Sequence, residues 1–127
     1  MELGLKGKVV AITGSSEGIG RATAARFAQE GAKVSICARR ADVLNAFADE
    51  LRKSGADVLP VVADAAKPGG AERFIEETVK HYGRVDVVVN NAGGTGQLAF
   101  DAVDDKAWQS DLDVKVFAQI RTARAAA

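Results

Sequence analysis

Thr13-Gly14-Ser15-Ser16-Glu17-Gly18-Ile19-Gly20 is the stretch of this sequence best suited to holding a ligand. It follows the apolar run Val9-Val10-Ala11-Ile12 and opens a helical pattern, so a strand turns into a helix at three glycines. A helix N-terminus presents unpaired N–H groups and a partial positive charge, which suits a phosphate. Glycine lets the backbone turn sharply, lets a ligand come close and lets the helix pack tightly on its sheet. The pattern predicts a dinucleotide pyrophosphate on the first turn of that helix. A bare strand-to-helix turn would use the same residues, so strand before and helix after is the context to look for. It is not a Walker loop, because Gly20 precedes Arg21-Ala22 rather than lysine and a hydroxyl residue.

The other reactive residue types are sparse. The only histidine, His81, falls in the last turn of a predicted helix, where a cation suits the helix dipole. The only cysteine, Cys37, lies in an apolar strand and reads as a core thiol. With no second histidine and no clustered cysteines, a metal site is not expected.

The elements that position the glycine loop follow from pattern. Apolar runs at residues 8–12, 33–38, 58–63 and 85–89 predict strands, and residues 18–30, 42–54 and 71–82 predict helices. Gly31, Gly55 and Gly83 supply the helix stops. Pro60 argues that the third strand is an edge, since proline cannot donate to a ladder. Residues 94–100 read as a Gly-rich link, and Asp104 as the N-cap of a last helix that runs to the C-terminus. On that helix Trp108, Leu112, Lys115, Gln119 and Thr122 fall on one face by spacing. Strand–helix alternation predicts an α/β fold, a doubly wound parallel sheet in a single domain over residues 1–127. Ligands of such sheets bind beyond the carboxyl ends of the strands. Both the glycine loop and Asn90-Asn91-Ala92-Gly93 would lie there.

The 127 residues suffice for one core, and 47% hydrophobic with 27% charged content is ordinary for a globular chain. Seventeen basic residues balance 17 acidic ones, so no nucleic-acid or membrane partner is expected. The lone cysteine and the absence of a signal-like N-terminus lead to an expectation of cytoplasmic location.

Thr13-Gly14-x-x-x-Gly18-x-Gly20, then Asp64 after the third strand, then Asn90-Asn91-Ala92-Gly93, resembles the short-chain dehydrogenase/reductase family over nearly the whole chain. The resemblance implies a Rossmann fold, a nicotinamide cofactor and hydride transfer between an alcohol and a ketone. It implies that Gly14, Gly18 and Gly20 form the pyrophosphate turn, with Ser16, Glu17 and Ile19 beside the cofactor. Asp64, with Ala65 next to it, matches the acid that accepts the adenine amino group. Asn91, Ala92 and Gly93 match the loop that lines the adenosine ribose and steadies the central strand.

Cofactor choice turns on the end of the second strand. Users of NAD commonly carry an acid there for the ribose hydroxyls. This chain has Ala38 followed by Arg39-Arg40, and a guanidinium matches a 2′-phosphate. NADP(H) is therefore favoured over NAD(H), with Arg39 as chief contact and Arg40 beside it. Glu17 argues the other way, since it stands where many NADP users carry a basic residue.

The family's catalytic serine and Tyr-x-x-x-Lys do not occur. The only tyrosine, Tyr82, has Asp86 four residues on, so it is not the proton donor. The catalytic residues are expected after Ala127, which makes the chain a portion of a longer protein that lacks the C-terminal strands. Lys115 stands where the family has an asparagine that holds a water for proton relay. A pairing with Asp111 is the plainer expectation for it. The resemblance also implies a small alcohol/ketone substrate of unspecified class and a homo-oligomer through the last helix. The competing expectations are a nucleotide-binding module without chemistry and an interaction module.

Overall fold

A computed structural model describes residues 2–91 and 100–127. Strand and helix alternate: β1 (Val9–Thr13), α1 (Gly18–Gln29), β2 (Lys33–Ala38), α2 (Ala41–Lys53), β3 (Val58–Val62), α3 (Gly70–Tyr82) and β4 (Val87–Val89). A short 3-10 turn, Phe100–Ala102, leads to α4 (Asp105–Leu112), a π-turn (Asp113–Phe117) and α5 (Ala118–Ala126). Of the predicted Gly-rich link, only Phe100 lies within the described residues.

The strands form one parallel sheet in the order β3-β2-β1-β4. In β1 all five residues are buried, which is why it reads as a continuous apolar run rather than an alternating one. β3 is an edge strand with Pro60 opposite Ile36, as proline requires. Side chains of β1 alternate between two cores. Val10 and Ile12 join Val34, Ile36, Leu44, Phe47 and Leu51 on one face of the sheet. Ala11 joins Cys37, Val61, Phe74 and Ile75 on the other. Burying a Leu, Ile or Phe side chain contributes roughly 1.5–3 kcal/mol. One polar pair crosses the second core. Ser35 Oγ lies 2.6 Å from Thr78 Oγ1, and Thr78 donates onward to the Phe74 carbonyl at 2.8 Å. Both hydroxyls are thereby satisfied away from water.

The helix ends follow the sequence. Gly31, Gly55 and Gly83 all have positive φ. Asp104 caps α4, accepting the Ala107 amide at 2.8 Å. The last helix departs from expectation in its phase. Across the π-turn the Ala118 amide reaches back five residues to the Asp113 carbonyl, so this turn absorbs an extra residue. The predicted common face of Trp108, Leu112, Lys115, Gln119 and Thr122 is therefore broken. Ala118 and Thr122 are buried, while Trp108, Leu112, Val116 and Ile120, four residues apart, are left 41–49% exposed. Ala65, Ala71 and Ala118 form a small cluster where α3 begins.

Candidate functional site

The glycine loop runs between the carboxyl end of β1 and α1, and its geometry is set by close packing. Gly14 and Gly18 have φ of 65° and 56°, the left-handed region that side chains disfavour. Gly20 is buried so tightly that a Cβ there would lie 2.2 Å from the Gly14 carbonyl oxygen and 2.3 Å from Asn91 Nδ2. Only glycine lets α1 start this close to the loop.

Asn91 ties that loop to the end of β4. Its side-chain amide donates to the Gly14 carbonyl at 3.0 Å, and its backbone amide donates to Thr13 Oγ1 at 3.1 Å. Ser15 ties the loop to β2 on the other side. Its hydroxyl donates to the Ile12 carbonyl and receives the Cys37 amide at 3.4 Å, while its own amide donates to the Cys37 carbonyl at 3.0 Å. The loop is thus pinned to both strands that flank β1.

Above these strand ends lies a cavity of about 720 Å³. It is lined by Gly14, Ser16, Glu17, Gly18 and Ile19 from the loop, by Ala38, Arg39 and Arg40 from the end of β2, by Asp64 and Ala65 after β3, and by Asn91. Eleven of the residues named from the sequence are therefore brought to one place, if Ala38 is counted and the buried Gly20 is set just behind the wall. Ala92 and Gly93 lie outside the described residues.

The polar groups of this cavity differ in how far they are already used. Asp64 Oδ1 accepts the Ala66 amide at 3.0 Å, which fixes the carboxylate in the turn after β3. Arg40 is paired with Asp42 at 3.3 Å. Arg39, Glu17 and the Ser16 hydroxyl have no side-chain hydrogen bond or ion pair among the described residues. Glu17 is the N-cap of α1 with an extended backbone, and its carboxylate caps nothing. Cys37 also borders the cavity. Burial, and then the charge of Asp64, push its thiol up to about 12, so it stays protonated and donates to the Ala63 carbonyl at 3.4 Å. That is the inert core thiol the sequence suggests.

Part of this wall has no signature in the sequence. Ser110 and Val114, one turn apart on the last helix, close the cavity from above. Val114 is the neighbour of Lys115, but only the chain's path over the site shows that it lines the cavity. Lys115 itself does not; its Nζ pairs with Asp111 at 3.3 Å. The structural role of Ser15 was also missed, since a serine between glycines gives no sign that it will fasten two strands.

Tyr82 stands at the opposite rim. Its hydroxyl donates to Asp57 Oδ1 at 2.8 Å, and partial burial together with that carboxylate raises the phenol pKa above its ordinary value. It is far from the glycine loop along the strands and serves as a latch between α3 and the start of β3. Among the described residues no group of His, Cys, Asp and Glu is arranged to hold a metal.

A parallel sheet with a glycine-rich strand-to-helix turn and a cleft at its carboxyl edge defines a Rossmann-type dinucleotide-binding fold. A family profile described as short chain dehydrogenase matches residues 8–127, and the chain belongs to that family. The 11-beta-hydroxysteroid dehydrogenase 1A of Arabidopsis thaliana is 40% identical over 124 residues, which is 96% of this chain and 36% of that protein. L-sorbose reductase from Gluconobacter frateurii, solved with NADPH and L-sorbose, superposes with a TM-score of 0.96 at 39% identity, over 99% of this chain and 48% of that one. An NADH-dependent reductase, A1-R′, responsible for alginate metabolism, superposes with a TM-score of 0.87 at 33% identity, over 97% of this chain and 51% of that one. The chain thus spans about half the length of these solved relatives. No helix among the described residues is long and apolar enough to cross a membrane.

Proposed function

We propose that these 127 residues are the cofactor-binding part of an NADP(H)-dependent oxidoreductase that moves hydride between the nicotinamide and an alcohol/ketone pair. The observation that carries this reading is Arg39, an unpaired guanidinium on the wall of the same cavity as the glycine loop and Asp64. In this reading the pyrophosphate rests on the amides that open α1, around Gly14, Ser16, Gly18, Ile19 and Gly20. Asp64 accepts the adenine amino group through its second oxygen, with Ala65 beside the ring. Asn91, Ala92 and Gly93 border the adenosine ribose. Arg39 takes the 2′-phosphate as a bidentate fork, and Arg40, drawn toward Asp42, adds charge behind it. The NADPH bound to the sorbose reductase supports the choice, and the NADH dependence of the alginate reductase weighs against it. Bound nicotinamide would supply the hydride, and this chain's residues bind and orient it.

Lys115 is paired with Asp111 and has no acceptor atom while charged, which leaves a proton-relay role to other groups. The chain contains no Tyr-x-x-x-Lys, so the proposed chemistry needs residues it does not carry. The half-exposed row of Trp108, Leu112, Val116 and Ile120 supports a homo-oligomer through the last helix. The reduced, buried Cys37 supports a cytoplasmic setting.

Calorimetric titration with NADPH, followed by a turnover assay over several ketones, tests the reading. The expected outcome is binding in the micromolar range without turnover. Turnover would show that a proton donor has been overlooked, and absence of binding would overturn the reading.

A further inference from the structure

The turn that carries Asp64 is fastened from outside by the last helix. Within the turn, Asp64 Oδ1 accepts the Ala66 amide at 3.0 Å, and the Asp64 carbonyl accepts the Lys67 amide at 3.1 Å. Gly70, the first residue of α3, lies so close to that carbonyl that a Cβ on it would collide. The Ala66 carbonyl is taken from α5, where Arg121 Nη1 donates to it at 3.4 Å. The Arg121 guanidinium is steadied by the Phe117 ring one turn back, 5.5 Å away at its centre. Two further contacts hold α5 against the start of α3. Ala118 packs on Ala65 and Ala71, and Arg124 pairs with Glu72 at 3.7 Å. Ala66 is thus held at its amide by Asp64 and at its carbonyl by Arg121, and it lines the same cavity as Asp64, Ser110 and Val114.

We infer that Arg121 is a positioning residue for base recognition. By holding Ala66 it fixes the turn, and with it the Asp64 carboxylate, whose Oδ2 has no hydrogen-bond partner among the described residues. A carboxylate oriented in advance favours a base that presents an amino group over one that presents an oxo group, since the second sets two acceptors against each other. A carboxylate free to swing loses part of that preference to the cost of ordering it. The inference rests on the proposed reading that Asp64 accepts the adenine amino group. It adds that the last helix, and not the turn alone, sets how well Asp64 does so.

The test uses two probes that differ only in the base, NADPH and its deamino analogue, which carries hypoxanthine in place of adenine. Both are titrated calorimetrically into the 127-residue chain and its Arg121→Met, Arg121→Lys and Asp64→Asn variants. The ratio of the two affinities does not depend on the fraction of chain that is folded. The parent chain is expected to prefer NADPH about tenfold, the scale of one hydrogen bond to a charged acceptor. Arg121→Met is expected to cut that preference to about threefold, by weakening NADPH and leaving the deamino analogue unchanged. Arg121→Lys, which keeps a donor and the charge, retains most of the preference, and Asp64→Asn loses it. If Arg121→Met weakens both ligands equally, or keeps the parent's preference while Asp64→Asn loses it, the inference about Arg121 is overturned and the reading of Asp64 stands. If the parent chain shows no preference, or Asp64→Asn keeps it, the reading beneath fails as well.

Discussion

At the N-terminal rim of the sheet, polar side chains hold one another. Tyr82 donates to Asp57, and the Lys33 ammonium sits 5.9 Å from the centre of the Tyr82 ring. Arg84 grips Asp86, whose other oxygen accepts the Val9 amide at 2.8 Å while its own amide donates to the Val9 carbonyl at 2.9 Å. At the carboxyl rim of the same strands, Ser16, Glu17 and Arg39 face a cavity with no side-chain partner among the described residues. A rim that serves only stability consumes its own donors and acceptors. The carboxyl rim leaves some of them free and braces the backbone beneath through Asn91 and Ser15, the arrangement that the proposed nucleotide site requires.

The contrast is broken most severely at Gly20. A Gly20→Val side chain has no room against the Gly14 carbonyl and Asn91. It is expected to cost about 3 kcal/mol in urea unfolding and to abolish nucleotide binding, because the helix start must move away from the loop. Full retention of NADPH affinity would mean that the loop geometry is irrelevant to binding.

The opposite rim gives a smaller effect of a different kind. Arg84, and then the Val9 amide, hold the Asp86 carboxyl below its ordinary pKa. A carboxyl depressed in the folded state stabilises fully above its unfolded pKa of about 3.9, and that contribution is lost as pH falls through the folded value. Asp86→Asn is therefore expected to be less stable than the parent chain at pH 7. The gap should close as the pH drops below about 4, with NADPH affinity unchanged at neutral pH. A gap that stays constant from pH 7 to pH 3 would remove the charge-based account of this rim.

Much of this layout was legible because its causes are local. Apolar runs bounded by glycine placed the strands, Pro60 placed the edge, and Asp104 placed a cap, each through the chemistry of a single residue. The glycine loop and Arg39 were legible as candidate site residues through their types and spacing, and Asp64 through the family resemblance; the structure brings all of them to one cavity. The π-turn was not. It shifts the helix by one residue, and nothing in Asp113-Val114-Lys115-Val116-Phe117 announces an i→i+5 bond. Ser110 and Val114 reach the cavity only because the last helix passes over it, a tertiary fact with no local signature.

The central claim is that a nucleotide sits at the carboxyl rim, on the first turn of α1. Amide chemical-shift mapping of the labelled chain with NADPH tests it most directly. The account predicts changes concentrated at residues 14–20, at Arg39 and at Asp64-Ala65, with Lys33, Asp57 and Tyr82 unmoved. Changes centred on Lys33, Asp57 and Tyr82, or no changes at saturating NADPH, would contradict it.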